Sequence, residues 1–176
     1  MPASMPPATR ALLLLNVALF AVQYLTGDLL LRPFALWPPA SAQFPGAPSF
    51  QVWQLLTYGF LHGGFTHLFF NMFALWMFGG ELEMAWGSQR FLRFYVLCGT
   101  GAGLIILGWN ALTGVSAITF GASGAIYGIL TAFSLTWPDR TIMLLFPPIP
   151  MRAIWFIPVM FALQLVMGGG QGVSTV

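Results

Sequence analysis

Apolar residues run along this chain in long blocks, broken by glycine, proline and a few charges rather than alternating with polar positions. A helix needs about 20 apolar residues to cross a bilayer's hydrocarbon core. Cut at their punctuation, the blocks predict five helices. The first covers Pro7–Thr26, with proline suited to its start and Gly27-Asp28 to its end. The second covers roughly residues 63–80, the third 94–111 and the fifth 151–167, the last with Pro158 inside. The fourth starts near Ser123 and stops at Trp137-Pro138; at about 15 residues it is too short to cross from surface to surface. Its N-terminus should lie below the membrane surface, where irregular backbone survives only under protein or beside water. Residues 33–50 and 141–150 are apolar but rich in proline and read as loops, the first lying at the interface with Trp37 and Trp53 at headgroup level. The tail around residues 168–172 is expected to be flexible. Ala40-Ser41-Ala42 resembles a signal-peptide cleavage site but lies too far beyond the first apolar run.

Composition turns these blocks into a membrane protein. Hydrophobic residues are 58% of the 176 and charged residues 6%, against about 25% charged in soluble domains. A soluble globule, a disordered chain and a nucleic-acid binder are excluded on that ground. The single cysteine allows no internal disulfide. All six cations are arginines, and with the N-terminus inside only Arg32 faces out, in agreement with the excess of cytoplasmic positive charge in membrane proteins. Gly99 and Gly103 in the third helix, and Gly124 and Gly128 in the fourth, have the spacing that lets helix backbones approach closely in lipid. They are read as packing faces within the bundle.

With so little charge, the polar residues at membrane depth become informative. In Gly121-Ala122-Ser123-Gly124, a serine between small residues stands where a loop becomes a helix. The first turn of a helix offers unpaired N–H groups and a positive dipole end. That suits a nucleophile whose own N–H helps bind an oxyanion, and it equally suits tight packing. His67 and Asn71, four residues apart, share a helix face. They can donate to a developing oxyanion or hold two helices together. Tyr127, one turn after Ser123, is either a pocket wall or a core aromatic. Two histidines, one cysteine and no acidic residue at depth make no plausible metal site. Glu81 and Glu83, near Arg90 and Arg93, read as interfacial ion pairs or caps.

Taken together, His62-xxxx-His67-xxx-Asn71 and Gly121-x-Ser123-Gly124-xx-Tyr127 resemble the rhomboid family of intramembrane serine proteases. Trp53 and Glu83-xxx-Gly87-Ser88 support the likeness, which runs over almost the whole chain. The resemblance implies an all-α polytopic transmembrane bundle, a single domain over residues 1–176 with five of six helices present. It implies a Ser–His dyad with Ser123 as nucleophile, and an oxyanion hole of the Ser123 N–H with the side chains of His67 and Asn71. Tyr127 would pack against the dyad histidine, Gly121 would leave room for the scissile carbonyl, and Gly124 and His62 would play supporting parts. Substrates would be transmembrane segments cleaved near the outer surface of a bacterial plasma membrane. No metal or other cofactor and no nucleic acid is implied.

Two departures stand out. The family usually has Trp-Arg in the first loop, where this chain has Trp53-Gln54. The family's general base is a histidine in a sixth helix, whereas this sequence holds only His62 and His67 and stops at Val176. The expectation is a fragment, or an inactive form, of a protease, since a serine without a base is a poor nucleophile. The runner-up is a non-catalytic rhomboid-like protein that binds membrane clients. A channel or transporter is weakened by the lack of charge at depth and of internal repeats.

Overall fold

The computed structural model describes residues 5–38, 48–114, 117–143 and 148–168. The Ala40-Ser41-Ala42 site, half of the first loop, part of the 141–150 loop and most of the glycine-rich tail lie outside the described residues. The chain is an all-α membrane bundle with one small pair of strands. It divides into two compact units, Met1–Gly128 and Ile129–Val176.

In the first unit, α1 runs over Pro7–Thr26, as its punctuation predicts. Short helices α2 (Leu31–Phe34) and α3 (Gln54–Thr57) follow, and a 3-10 turn at Tyr58–Phe60 extends α3. Helix α4 (Phe65–Ala74) passes through a wide π turn, Leu75–Gly79, straight into α5 (Gly80–Trp86). Helix α6 covers Ser88–Thr113, and α7, Ser123–Thr136, begins in this unit and continues past Gly128 into the second. Helices α1 and α6 are both long and apolar enough to cross a membrane, and only 17% of the apolar window of each is buried. A soluble core helix would hide most of that surface; these two turn it outward, as a bundle solvated by lipid requires.

Helix α6 is longer than its predicted span because charge does not stop a helix at the membrane edge. Arg90 and Arg93 sit on exposed positions of its first turns, and such long side chains reach the interface from inside a helix. The boundary is set instead by Gly87, whose φ of 80° ends α5 and starts α6. Gly124 and Gly128 face α6: a Cβ on Gly124 would lie 2.5 Å from the Ala102 methyl, and one on Gly128 would strike Cys98. Their spacing thus serves packing within the chain.

Glu83 is a cap, reaching across space to a helix other than its own. Its carboxylate accepts the backbone N–H groups of Ala8 (2.8 Å) and Thr9 (2.6 Å) at the start of α1, and the Ser88 hydroxyl at 2.6 Å. A carboxylate there pairs donors that α1 cannot satisfy itself and meets the positive end of its dipole. The group is 2% exposed, so its loss strands buried donors. Glu83→Ala is expected to lower unfolding free energy by about 2–4 kcal/mol, measured by denaturant titration in micelles.

In the second unit, Arg140 stacks over the rings of Phe133 (5.6 Å) and Trp137 (6.0 Å). Two strands follow, β1 (Thr141–Met143) inside the predicted loop and β2 (Pro150–Arg152) running past its end into the first residues expected of the fifth helix; they pair antiparallel with Ile142 opposite Met151. Pro150 stands at the end of its strand, where a missing N–H is tolerated. Helix α8 (Ala153–Gly168) follows, with Pro158 inside it.

Candidate active site

All seven residues singled out by motif lie in the first unit. The approach to α7 is irregular backbone, and protein covers it. Leu36 and Thr119 exchange both backbone hydrogen bonds, at 2.9 and 3.1 Å, and the Gly121 N–H donates to the Tyr58 carbonyl at 2.8 Å. Pairing of this kind is what keeps non-helical backbone stable at membrane depth. Ala122 then provides the carbonyl for the first helical bond, from the Ile126 N–H. The N–H groups of Ser123, Gly124 and Ala125 therefore have no helical carbonyl to bond. Ser123 is half-buried at the first position of α7, and Tyr127 is half-buried one turn on.

His67 and Asn71 project from the first two turns of α4. Asn71 is 7% exposed, and its Nδ2 has no hydrogen-bond partner among the described residues. A buried amide donor left open is costly unless something is meant to fill it. His67 lies against Gly121: a Cβ there would stand 2.7 Å from its Cε1 and 3.0 Å from its Nε2. The φ of Gly121 is 129°, so both backbone and space at this position require glycine. The other ring nitrogen of His67, Nδ1, accepts the Gly63 N–H at 3.4 Å. An accepting nitrogen carries a lone pair, which in the neutral ring assigns the proton to Nε2, 3.0 Å from that Cβ position on Gly121.

His62 is 1% exposed and meets His67 edge-on, with ring centroids 5.2 Å apart. Burial, and then the nearby His67, push its pKa down to about 4, so it is neutral at ordinary pH. Neither of its ring nitrogens makes a hydrogen bond of good geometry among the described residues. A groove of about 860 Å³ between α1 and the start of α4 is lined by Gln23, Tyr24, His62, Gly63, Gly64 and Phe65. No group of three or more potential metal ligands occurs among the described residues.

Three further residues near the site make polar contacts to which the motifs assign no role. Tyr58 is buried; its carbonyl holds Gly121, and its hydroxyl donates to the Gly99 carbonyl at 2.6 Å. Gln54, where the family usually has arginine, is fully buried; its Oε1 accepts the N–H groups of Trp37 (3.3 Å) and Gln51 (3.1 Å). Trp37 is buried, and its indole donates to the Arg32 carbonyl at 2.9 Å; Trp53 keeps half its surface exposed. Gln23 is the third. The signal was present, because an amide on a membrane-spanning helix deserves the same question that His67 and Asn71 received.

Residues 49–176 match the Rhomboid domain family. The protein named Rhomboid protease GlpG from Yersinia pestis (strain Pestoides F) is 26% identical over 154 residues, covering 86% of this chain and 52% of the relative. Rhomboid protein 1, mitochondrial, from Saccharomyces cerevisiae (strain ATCC 204508 / S288c) is 36% identical over 93 residues, covering 52% of this chain and 27% of the relative. The chain spans about half the length of the GlpG proteins it matches. With that family match over most of its length and an apolar helical bundle to carry it, the chain belongs to the rhomboid family of intramembrane proteases.

Proposed function

We propose that residues 1–176 form the nucleophile and oxyanion-binding part of a serine endopeptidase that cleaves transmembrane segments. Ser123 Oγ attacks the scissile carbonyl carbon as its proton passes to a general base. The base is a histidine outside residues 1–176, because His67 already has another task. The negative charge that develops on the carbonyl oxygen is met by the Ser123 N–H, the His67 Nε2–H and the Asn71 Nδ2–H. Collapse of the tetrahedral intermediate breaks the C–N bond as the same histidine returns the proton to the leaving amine, and water then hydrolyses the acyl-enzyme to free the acid and restore the Ser123 hydroxyl. Tyr127 forms the wall beside the dyad, Gly124 allows close helix packing, and His62 supports His67 from the side. The groove between α1 and α4 gives water a path toward the site. The protein sits in a bacterial plasma membrane with its N-terminus in the cytoplasm, so that the N-terminal end of α7 opens toward the outside.

The observation that carries this reading is the placement of His67. Its ring fills the space above Gly121, two residues before Ser123, with the donor nitrogen facing that segment. Oxyanion donors act by being fixed before charge develops. The test is an active-site label. The polypeptide extended past Val176, reconstituted in vesicles, is expected to take one fluorophosphonate on Ser123, mapped by mass spectrometry, and to cleave a transmembrane peptide. A labelled residue elsewhere, or client binding with no labelling, would replace this reading by the non-catalytic one.

A further inference from the structure

We infer that Gln23 is a positioning residue that sets the donor nitrogen of His67. The inference rests on reading the site as proteolytic, but its mechanism is conformational. Gln23 lies near the end of α1, a mostly apolar helix, and reaches a residue 39 positions away. Its Nε2–H donates to the His62 carbonyl at 2.8 Å, and its Oε1 accepts the His62 N–H at 3.0 Å. One amide thus grips both backbone groups of one residue, as a neighbouring strand would.

The effect on His67 passes through a single peptide bond. The carbonyl of His62 and the N–H of Gly63 belong to the same planar unit, and in a trans peptide they point in opposite directions. Gln23 holds one side of that plane. The other side presents the Gly63 N–H to His67 Nδ1. At 3.4 Å that bond is long, and a long bond has little power to aim its own donor. The aim must come from the backbone that carries it. A Cβ on Gly63 would lie 3.2 Å from the Phe120 ring and 3.8 Å from His67 Nδ1, so a small rotation of the plane is enough to change what faces Nδ1. Without Gln23 the plane can rotate, Nδ1 loses its donor, and the imidazole is free to carry its proton on either nitrogen. Only one of the two tautomers presents Nε2–H toward Gly121.

Gln23→Met keeps the shape of the side chain and removes both hydrogen bonds. The readout is the ¹⁵N spectrum of histidine-labelled protein in micelles, where the two histidines give few signals. In the unsubstituted protein His67 should show one unprotonated, hydrogen-bonded Nδ1 and one protonated Nε2. In Gln23→Met the two signals are expected to move toward each other as tautomers mix. In the extended, active polypeptide kcat should fall about tenfold to hundredfold with KM unchanged, the scale of a small misplacement of a catalytic group. Folded Gln23→Met with unchanged His67 nitrogens overturns the proposal. If that variant does not fold, Gln23→Glu, which keeps the acceptor for the His62 N–H, is measured instead. It should shift the same signals by a smaller amount, and no shift again overturns the proposal. The spectrum separates this idea from the protease reading. Shifted nitrogens with no phosphonate on Ser123 support the positioning and defeat the protease. Phosphonate on Ser123 with unshifted nitrogens does the reverse.

Discussion

Ser123→Ala is expected to abolish phosphonate labelling and to bring cleavage of a transmembrane peptide below detection in the extended polypeptide. Losing the nucleophile of a serine protease costs about a millionfold in kcat, so residual turnover should be undetectable. The substitution removes one oxygen from a half-buried side chain at the first position of α7. No packing is lost, and alanine is the better helix former. Unfolding in denaturant should therefore stay within about 0.5 kcal/mol of the unsubstituted protein. That combination matters, because inactivity with intact stability assigns the loss to chemistry. Labelling that survives the change would place the nucleophile elsewhere.

Gly121→Ala should also be strongly damaging, for a different reason. The new methyl would occupy space that the His67 ring fills, 2.7 Å from Cε1 and 3.0 Å from Nε2. The backbone offers little relief. The φ of 129° is one that side chains avoid, and the Gly121 N–H is tied to Tyr58. The imidazole must move, and it is the lighter partner. Removing one oxyanion donor costs about 100- to 1,000-fold in kcat, which is the expected loss here, with KM little changed. Backbone strain and overpacking should also lower stability by about 1–3 kcal/mol. Unchanged turnover in a folded Gly121→Ala protein would mean that His67 does not serve the transition state.

The sequence was most legible where glycine and proline set the boundaries. Helix α1 begins at Pro7 and ends at Thr26, and α7 begins at Ser123, as their flanking residues indicate. It was less legible where charge was taken as an end: α6 runs past Arg90 and Arg93 to Ser88 because arginine can reach the interface from within a helix. The short helices α2 and α3 lie in proline-rich apolar sequence with no period to read, and they exist because Gln54, Trp53 and Thr57 bond to carbonyls or amides of the other arm of the loop. At the site, spacing alone put His67 and Asn71 on one face. Their relation to Gly121 is tertiary, and no local pattern encodes the fit of an imidazole against a bare α-carbon.

The π turn at Leu75–Gly79 settles a question of rotational phase. An α-helix turns about 100° per residue, so along a regular helix Asn71 and Glu83 would point about 120° apart. A wide turn absorbs one residue without advancing the helix, which brings the two to within about 20°. Both side chains are in fact buried, at 7% and 2% exposure. A single helix can therefore hold an amide toward the site near one end and a carboxylate toward the start of α1 near the other. The surplus residue works as a phase corrector, keying the outer half of the helix to the inner half.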